Sequence, residues 1–384
     1  MALPTTISDV SFPDQNYFVG PFKSSAGVFY TVLRVATAPS SLKVFKATDP
    51  TDSFPSSYIW NVGSNVISLW SYQVADVLHV VAQTAAFNVY YRTFNMATDT
   101  WGTEETIETI ASTGDTSPIA CSVAVRDDGD VVVLYQGGWD KIMGTNYGRV
   151  DYARKEGGSW TVAQDVTADT GTGVHYYAGV VVKGASDRMH FFFEKGTSVA
   201  THRSLASDNT LDTKIEYDTT VETSTNYVHV PGVSYVDTVR KVRVPYRDNS
   251  GKLSIAKFDS GANPTITTDV DASDVSTYTP NSFPAACLAN DGTTLHLTYA
   301  HTTLQWLYHD KNSGSGWGTD TQLLAVTINR ISSNVYDRQG QKLAYVYDDG
   351  GTVKYNELDI NEAITWADTA FPDQNYWVGP VKAT

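Results

Sequence analysis

A short run of apolar residues that ends in a polar or glycine-rich turn recurs seven times along the chain, and the starts of successive runs lie 47 to 58 residues apart. The seven runs occupy residues 28–35, 77–83, 130–137, 188–196, 241–248, 295–301 and 342–350. A period near fifty residues accommodates four short strands with their turns. The repeat therefore constrains the chain to a series of similar β units packed side by side.

Each unit places the same kinds of segment in the same order. An opening strand leads to the apolar run through a turn, as in DDGD at 127–130 and NDGT at 290–293, which are typical of tight hairpins. A third strand follows, and then an aromatic residue opens the last strand, as at Trp101, Trp160 and Trp317. We find no convincing amphipathic helix. Two β-sandwiches side by side would not explain seven matching units.

The pattern therefore predicts an all-β fold, a single seven-bladed β-propeller with four antiparallel strands per blade. Residues 1–384 form one domain in this interpretation, and the seven apolar runs are the second strands of the blades. Tyrosine and phenylalanine, at 23 and 14 residues, suit half-buried sheets.

A second constraint lies at the two ends of the chain. Residues 371–382, FPDQNYWVGPVK, repeat residues 12–23, FPDQNYFVGPFK, at ten of twelve positions. A ring has one place for its first inner strand and one for its last outer strand, yet the chain carries two candidates for each. Residues 6–10 and 364–368 are the outer candidates, and residues 16–22 and 375–381 are the inner ones. We expect residues 371–384 to act as a closing or exchange strand, and a trimmed tandem array is the competing explanation.

Charge and composition exclude several classes of partner. The formal net charge is −15, which disfavours nucleic acid and anionic membrane surfaces, since both require clustered Lys and Arg. No apolar run approaches the length of a membrane-spanning helix, and the N-terminal sequence MALPTTISDV lacks the features of a Sec signal. We therefore predict no nucleic-acid partner, no membrane insertion and no Sec signal.

Cysteine and histidine give no indication of a disulfide framework, a cofactor or a metal. Cys121 and Cys287 occupy equivalent places in two repeats, which favours buried small residues over a disulfide or a nucleophile. The eight histidines are scattered without metal-ligand spacing, and no glycine-rich phosphate loop opens a helix. No metal and no cofactor are predicted.

The turns between third and fourth strands resemble the Asp-box turns of sialidase-like (BNR-repeat) propellers, in which Ser or Thr, Asp, Gly and a closing Trp share a hairpin. The resemblance is degenerate: Thr48-Asp49 with Phe54, Thr98-Asp99 with Trp101, and Ser207-Asp208 carry parts of the pattern. The repeat style also resembles propellers encoded by phage and marine viral genomes. Asp-box residues hold a turn and bury an aromatic, so the expected role of these residues is structural.

A resemblance to sialidases would imply three arginines on the sugar carboxylate, a tyrosine nucleophile with its glutamate, and an aspartate acid/base. The Arg-Ile-Pro signature of that family is absent. Only Arg247 and Arg330 fall plausibly on the expected ligand face, while Arg126, Arg149 and Arg154 are expected far from it. We therefore predict no measurable sialidase turnover.

The expected ligand face combines the starts of first strands with the loops between second and third strands, because a rigid scaffold gathers loops there. The residues predicted to bind a glycan on this face are Trp139, Asp140, His175, Tyr176, Tyr227, His229 and Arg330. A neutral or weakly charged glycan would stack near the aromatic members of this set. His175-Tyr176 and Tyr227-His229 could instead serve as the acid and base of a polysaccharide lyase. Their ordinary interpretation is half-buried strand residues with wet polar tips.

Two functional hypotheses follow. The first is a non-catalytic structural or adhesive protein, extracellular or virion-associated, that binds a cell-surface glycan and assembles with copies of itself through its terminal strands. Phe371, Tyr376, Trp377 and Val378 are the predicted assembly residues. The alternative is a secreted carbohydrate-active enzyme, either sialidase-like or lyase-like. The absence of a leader peptide and the duplicated ends favour the first, and no catalytic residue is assigned.

Overall fold

The fold is described from a computed structural model of the 384-residue chain. The structure describes residues 3–8, 18–35, 41–51, 53–110, 121–142, 145–167, 176–196, 199–218, 235–236, 242–247, 253–258, 266–269, 286–290, 294–300, 306–312, 317–318, 321–326, 328–335, 342–349 and 352–359. In a few of these strands only the backbone is described. Apart from one short 3-10 turn at Ala185–Asp187, the regular elements in these ranges are strands.

The described strands pair into seven antiparallel sheets, numbered here in chain order. The first sheet contains β2 (Phe18–Lys23), β3 (Phe29–Val35), β4 (Ser41–Ala47) and β5 (Ser56–Asn61). The second contains β6 (Val66–Val74), β7 (Val77–Thr84), β8 (Asn88–Asn95), β9 (Thr100–Trp101) and β10 (Glu105–Thr109). The third contains β11 (Cys121–Val125), β12 (Val131–Ile142), β13 (Thr145–Glu156) and β14 (Ser159–Asp165).

The remaining four sheets have the same order. The fourth contains β15 (Tyr176–Lys183), β16 (Met189–Lys195), β17 (Val199–Leu205) and β18 (Ile215–Asp218). The fifth contains β19 (Tyr235–Val236), β20 (Val242–Arg247), β21 (Leu253–Phe258) and β22 (Ile266–Asp269). The sixth contains β23 (Ala286–Asn290), β24 (Leu295–Ala300), β25 (Leu307–Asn312) and β26 (Thr321–Leu324). The seventh contains β27 (Ile328–Val335), β28 (Lys342–Asp349), β29 (Thr352–Asp359) and, as its outer strand, β1 (Thr5–Ser8).

The first strands of the sheets contact one another in succession. β2 contacts β6, β6 contacts β11 and β11 contacts β15; in the other direction β2 contacts β27, β27 contacts β23 and β23 contacts β19. The sheets are therefore arranged around an axis that the first strands line. This is a β-propeller whose blades are four-stranded antiparallel sheets, as the repeat predicts.

Second strands are apolar on both faces because each sheet is packed between two neighbours. In β12 the residues from Val131 to Tyr135 are all buried, with alternate side chains entering different apolar clusters. Fourth strands lie at the outer edge and are more exposed, as in β5, where Trp60 alone is fully buried. The core therefore lies between adjacent sheets and not within one layer.

The seven predicted apolar runs overlap β3, β7, β12, β16, β20, β24 and β28, the second strands of the sheets. The turn at 127–130 is a hairpin in which Gly129 has a φ of 95°, and the Asp128 carboxylate accepts a hydrogen bond from the Asp130 N–H at 2.9 Å. Asp-Gly is favoured there because glycine adopts this left-handed conformation without strain.

The degenerate turn at Asp99 connects two sheets. Asp99, at a φ of 56°, accepts a hydrogen bond from the Tyr30 hydroxyl of the first sheet at 2.9 Å. Trp101 packs against Trp60 and Phe94, with ring centroids 5.3 and 5.1 Å apart. The turn and its aromatic thus fasten the second sheet to the first, which is a structural role.

Of the duplicated ends, the structure places only the N-terminal copy. Thr6–Ser8 lies in β1 on the seventh sheet, and residues 18–23 form β2 on the first. Residues 360–384 lie outside the described residues. Cys121 is a free, buried thiol beside the Ser68 hydroxyl, and burial raises the pKa of its thiol to about 12. Such a thiol is not an activated nucleophile.

Candidate functional site

The most distinctive surface feature is the hairpin between β12 and β13. Both strands have twelve residues and continue pairing as far as Ile142 opposite Thr145. A bulge between Gln136 and Trp139 separates this extension from the rest of the sheet. The four residues 139–142, at about 3.3 Å each, carry the strand roughly 13 Å beyond the bulge. We call residues 137–148 the long hairpin; it marks the upper end of the sheets, where second strands lead to third strands.

A buried group of polar side chains lies at the base of the long hairpin. The carboxylate of Asp151 is fully buried, and its Oδ2 accepts a hydrogen bond from the Arg149 guanidinium at 2.7 Å. Its other oxygen, Oδ1, is buried without a hydrogen-bond partner. A Cβ atom at Gly137 would collide with the Asp151 carboxylate, so glycine is required where the hairpin leaves the sheet.

Burial changes the titration of this group. Desolvation raises the pKa of Asp151 to about 7, and the hydrogen bond from Arg149 limits the rise. Directly opposite Asp151 in the β12–β13 ladder is Tyr135, whose hydroxyl donates to the Glu108 carboxylate and accepts from the Ala163 N–H at 3.0 Å. Burial and the bond to Glu108 raise the pKa of Tyr135 above its ordinary value. A carboxyl group that titrates near neutrality therefore lies between a guanidinium and a phenol.

We call Glu108, Tyr135, Arg149 and Asp151 the junction cluster, because Glu108 belongs to the second sheet and the others to the third. Arg149 and Glu108 are partly exposed, whereas Tyr135 and Asp151 are fully buried. Solvent and ligands can therefore reach the guanidinium and the glutamate, and the buried pair sets their position.

Gln136, at the last position before the bulge, fastens the third sheet to the fourth. Its amide nitrogen donates to the carbonyls of Arg149 and Tyr176, each at 2.9 Å, and its amide oxygen accepts from the Ala178 N–H at 3.0 Å. Gly148 is close to the same strand, since a Cβ there would lie 3.1 Å from the Tyr176 carbonyl oxygen. The base of the long hairpin is thus held rigidly against β15.

The structure places the backbone of two predicted binding residues on the long hairpin and assigns another to the interior. Trp139 and Asp140 are consecutive there, opposite Gly148 and Tyr147, and only their backbone is described. Tyr176 opens β15, but its side chain is only 1% exposed and packs 5.9 Å from the Phe193 ring.

The Tyr176 ring is also covered by the Lys214 ammonium, 5.0 Å from its centroid, which donates to the Tyr176 hydroxyl at 2.9 Å. With so little of the ring exposed, Tyr176 offers little surface on which a sugar could stack.

The other predicted site residues are placed less completely. Arg330 lies in β27, within the irregular register between Ile328 and Ile331, and only its backbone is described. His175, Tyr227 and His229, together with the predicted assembly residues Phe371, Tyr376, Trp377 and Val378, lie outside the described residues. Their roles stay predictions.

The expectation that Arg149 is far from the ligand face is wrong. The hairpin extends beyond the bulge, so Arg149 lies at its base and at the upper end of the sheet. Arg126 and Arg203 have structural roles: Arg126 donates to the Ala206 carbonyl and Arg203 to the Val166 carbonyl, at 2.7 and 2.8 Å. Neither is free to clamp a carboxylate.

Histidine pairs are a second buried feature that sequence reasoning did not find. His190 and His202 stack with ring nitrogens 3.0 Å apart, and His296 and His309 repeat the same arrangement at 3.0 Å in the sixth sheet. Burial lowers the pKa of both His190 and His309 to about 3. The imidazoles of His190 and His309 are therefore neutral at physiological pH, and the His202 ring packs against Phe258 of the fifth sheet.

Within the described residues, no group of three or more His, Cys, Asp or Glu side chains is arranged to hold a metal ion. In the same part of the chain, no helix is long and apolar enough to cross a membrane.

Sequence reasoning missed the junction cluster because its members are far apart in the chain. The available signal was local: Asp151 lies between Val150 and Tyr152, two residues after Arg149, in the segment RVDYAR. A charged residue predicted to face a neighbouring sheet requires a partner, and that requirement would have identified the position.

Comparison with known proteins supports the fold. No family matches the sequence, and no curated protein matches it. The chain is similar in structure to the BP39L lectin from Burkholderia pseudomallei, with a TM-score of 0.65 and 11% identity over 90% of this chain and 96% of the lectin. It is also similar to an alpha-L-arabinanase from Penicillium chrysogenum complexed with arabinobiose, with a TM-score of 0.53 and 12% identity over 94% and 98% of the two chains.

Proposed function

We propose that this chain is a non-catalytic, glycan-binding propeller that holds its ligand at the base of the long hairpin. The observation that carries the proposal is the junction cluster, a buried carboxyl group that positions a partly exposed guanidinium at the base of the hairpin on which Trp139 and Asp140 lie. Sugar sites combine an aromatic surface with a few fixed polar groups, and these residues supply both.

Each residue proposed to contact the ligand has a distinct role. The indole of Trp139 stacks on the apolar face of a sugar ring. Arg149 donates hydrogen bonds to ring hydroxyls, while Glu108 and Asp140 accept them. The formal net charge of −15 disfavours polyanionic glycans, so the expected ligand is neutral or weakly charged.

The structural neighbours support a carbohydrate-related role. One is a lectin, and the other is an arabinanase complexed with a disaccharide. Both share the fold over most of their length, although identities of 11% and 12% transfer no site residue to this chain. The choice between binding and catalysis therefore depends on the chemistry of the junction cluster.

Burial of the cluster favours binding over catalysis. A glycoside hydrolase places two carboxyl groups on either side of the scissile bond, where both touch the substrate. Asp151 has the raised pKa of a general acid, but its side chain is fully enclosed. It is therefore a positioning residue for Arg149 and does not reach a substrate.

A glycan array followed by calorimetry with the best ligand tests the proposal. We expect binding by the full chain and at least a tenfold loss of affinity in Trp139→Ala, since stacking of one aromatic contributes about 1–3 kcal/mol at comparable sites. Ile59→Ala, at an exposed apolar residue on the outer strand β5, is the control and should bind normally. An array without hits, or unchanged binding by Trp139→Ala, would refute this site.

The number of blades, the location and the self-assembly of the protein are part of the same proposal. Each of the seven sheets is one blade of a single ring that the N-terminal strand β1 closes on β29. An extracellular or virion-associated location suits a glycan-binding protein. In molecules whose ring is closed by the N-terminal segment, self-assembly through Phe371, Tyr376, Trp377 and Val378 would add avidity to weak individual sites.

A further inference from the structure

We infer that two strand positions in the fold, the first inner strand and the last outer strand, can each be filled by either terminal segment of the same chain. Residues 364–382 would then close the ring as an alternative to residues 5–23. This inference is independent of the proposed glycan site. It rests on the contacts of the N-terminal copy and on the near-identity of the two segments.

The position of β2 in the first sheet requires a glycine, and the second copy of the segment has one at the equivalent position. The Gly20 N–H donates to the Ser332 hydroxyl of the seventh sheet at 3.1 Å. Gly20 has a φ of 131°, and a Cβ there would lie 3.2 Å from the Tyr30 carbonyl oxygen. Glycine is therefore required at this position. The second copy has Gly379 at the equivalent position, followed as here by proline.

The apolar contacts of β2 are retained with two changes. Val19 is buried in the cluster between the first two sheets and corresponds to Val378. Phe18, buried between the seventh and first sheets, is replaced by Trp377. Phe22 is replaced by the smaller Val381, so the second copy fills the cluster between the first and second sheets less completely.

The outer place is the free edge of β29, which β1 occupies through the pairs Thr5–Tyr355 and Thr6–Lys354. β29 ends at Asp359, and residues 364–368 were predicted from sequence as an outer strand. The four residues 360–363 are a sufficient connection for a hairpin between them. Closure by the C-terminal segment therefore needs only a local turn, whereas closure by β1 joins the two ends of the chain.

Only one copy can be in place at a time, and the local hairpin gives the same chain a high effective concentration. The occupant we assign is therefore the C-terminal segment of the same molecule and not that of a second molecule. A copy that is displaced carries Phe18 or Trp377 together with an unpaired strand edge.

A double-variant cycle on the full chain tests this inference. Gly20→Val prevents the first copy from fitting, and Gly379→Val does the same to the second. We expect Gly379→Val to melt within about 2 °C of the parent, and Gly20→Val to remain a folded monomer that melts at least 5 °C above the double variant. A shift of 5 °C corresponds to a few kcal/mol for a chain of this size.

Limited proteolysis with mass spectrometry and light scattering completes the test. In Gly20→Val we expect cleavage within residues 1–23 and protection of residues 364–382, the reverse of Gly379→Val. If Gly20→Val and the double variant behave alike, whether both fold or both fail, the second copy does not replace the first. If Gly20→Val folds only as an oligomer, the occupant comes from another molecule and the intramolecular assignment is wrong.

Discussion

At the scale of single residues, the candidate site depends on one buried carboxyl group. Asp151 is enclosed with one oxygen on Arg149 and the other without a hydrogen-bond partner, an arrangement that opposes the charged form. Such a group lowers stability at neutral pH and is retained in proteins where it positions another side chain. The buried Asp151 carboxyl group thus lowers the stability of the fold and fixes the position of the Arg149 guanidinium.

The pH dependence of stability follows from the sign of this shift. The pKa of Asp151 is about 7 in the folded chain and about 3.8 in the unfolded chain, so folding takes up a proton between those values. The parent therefore loses stability from this group as pH rises from 3.8 to 7. We expect Asp151→Asn to gain up to about 4 kcal/mol relative to the parent between pH 3.5 and pH 8.

Urea unfolding of both proteins at the two pH values measures that gain. The comparison uses only the change with pH, so the effect of the substitution itself cancels. A constant difference between Asp151→Asn and the parent across the range would show that this carboxyl group has the same pKa in the folded and the unfolded chain.

At the scale of elements, adjacent first strands are fastened by serine hydroxyls. Ser68 of β6 accepts a hydrogen bond from the Cys121 N–H at 3.0 Å, and Ser122 of β11 accepts one from the Val181 N–H at 2.9 Å. Ser332 of β27 accepts a hydrogen bond from the Gly20 N–H of β2 at 3.1 Å, between the seventh and the first sheet. Each hydroxyl satisfies a buried backbone donor that the next strand cannot pair within its own sheet.

Removing one of these hydroxyls should weaken a junction between sheets. Ser122→Ala leaves the buried Val181 N–H without its partner, and we expect a loss of about 1–3 kcal/mol in the free energy of unfolding. Ser57→Ala, on the exposed outer strand β5, should change it by less than about 0.5 kcal/mol. Denaturant titration of both variants measures the effect, and equal stabilities would mean that water or another group satisfies the Val181 N–H.

The sequence predicts the strands and hairpins better than it predicts the contacts between them. Apolar runs and Asp-Gly turns identify second strands and hairpins because these are set by local patterning. The bulge between Gln136 and Trp139 leaves the Gly137 backbone so close to the Asp151 carboxylate that a Cβ there would collide with it. The serine bonds join residues more than fifty positions apart. The serine bonds leave no local signal in the sequence, and the only local signal of the other contact is a carboxylate between Val150 and Tyr152.

At the scale of the whole molecule, the pairing of β1 with β29 determines where new termini can be introduced into the chain. β1 lies antiparallel to β29, so the two ends of the described chain meet in the seventh sheet. The turn between β13 and β14 is, by contrast, exposed and consists of Gly157 and Gly158 at φ values of 55° and 90°. New termini are tolerated best at exposed turns of this kind.

A circular permutant tests closure directly. Residues 158–363 followed by residues 2–157 would connect β29 to β1 through a loop of seven residues, four from 360–363 and three from 2–4. We expect this permutant to fold as a monomer with a single thermal transition and an unchanged circular dichroism spectrum, because every described sheet keeps its strands. The parent sequence truncated after residue 363 is the matched control. If the control folds and the permutant does not, β1 does not pair with β29 in the seventh sheet. If the two strands did pair, joining them in a covalent hairpin could only stabilise that pairing.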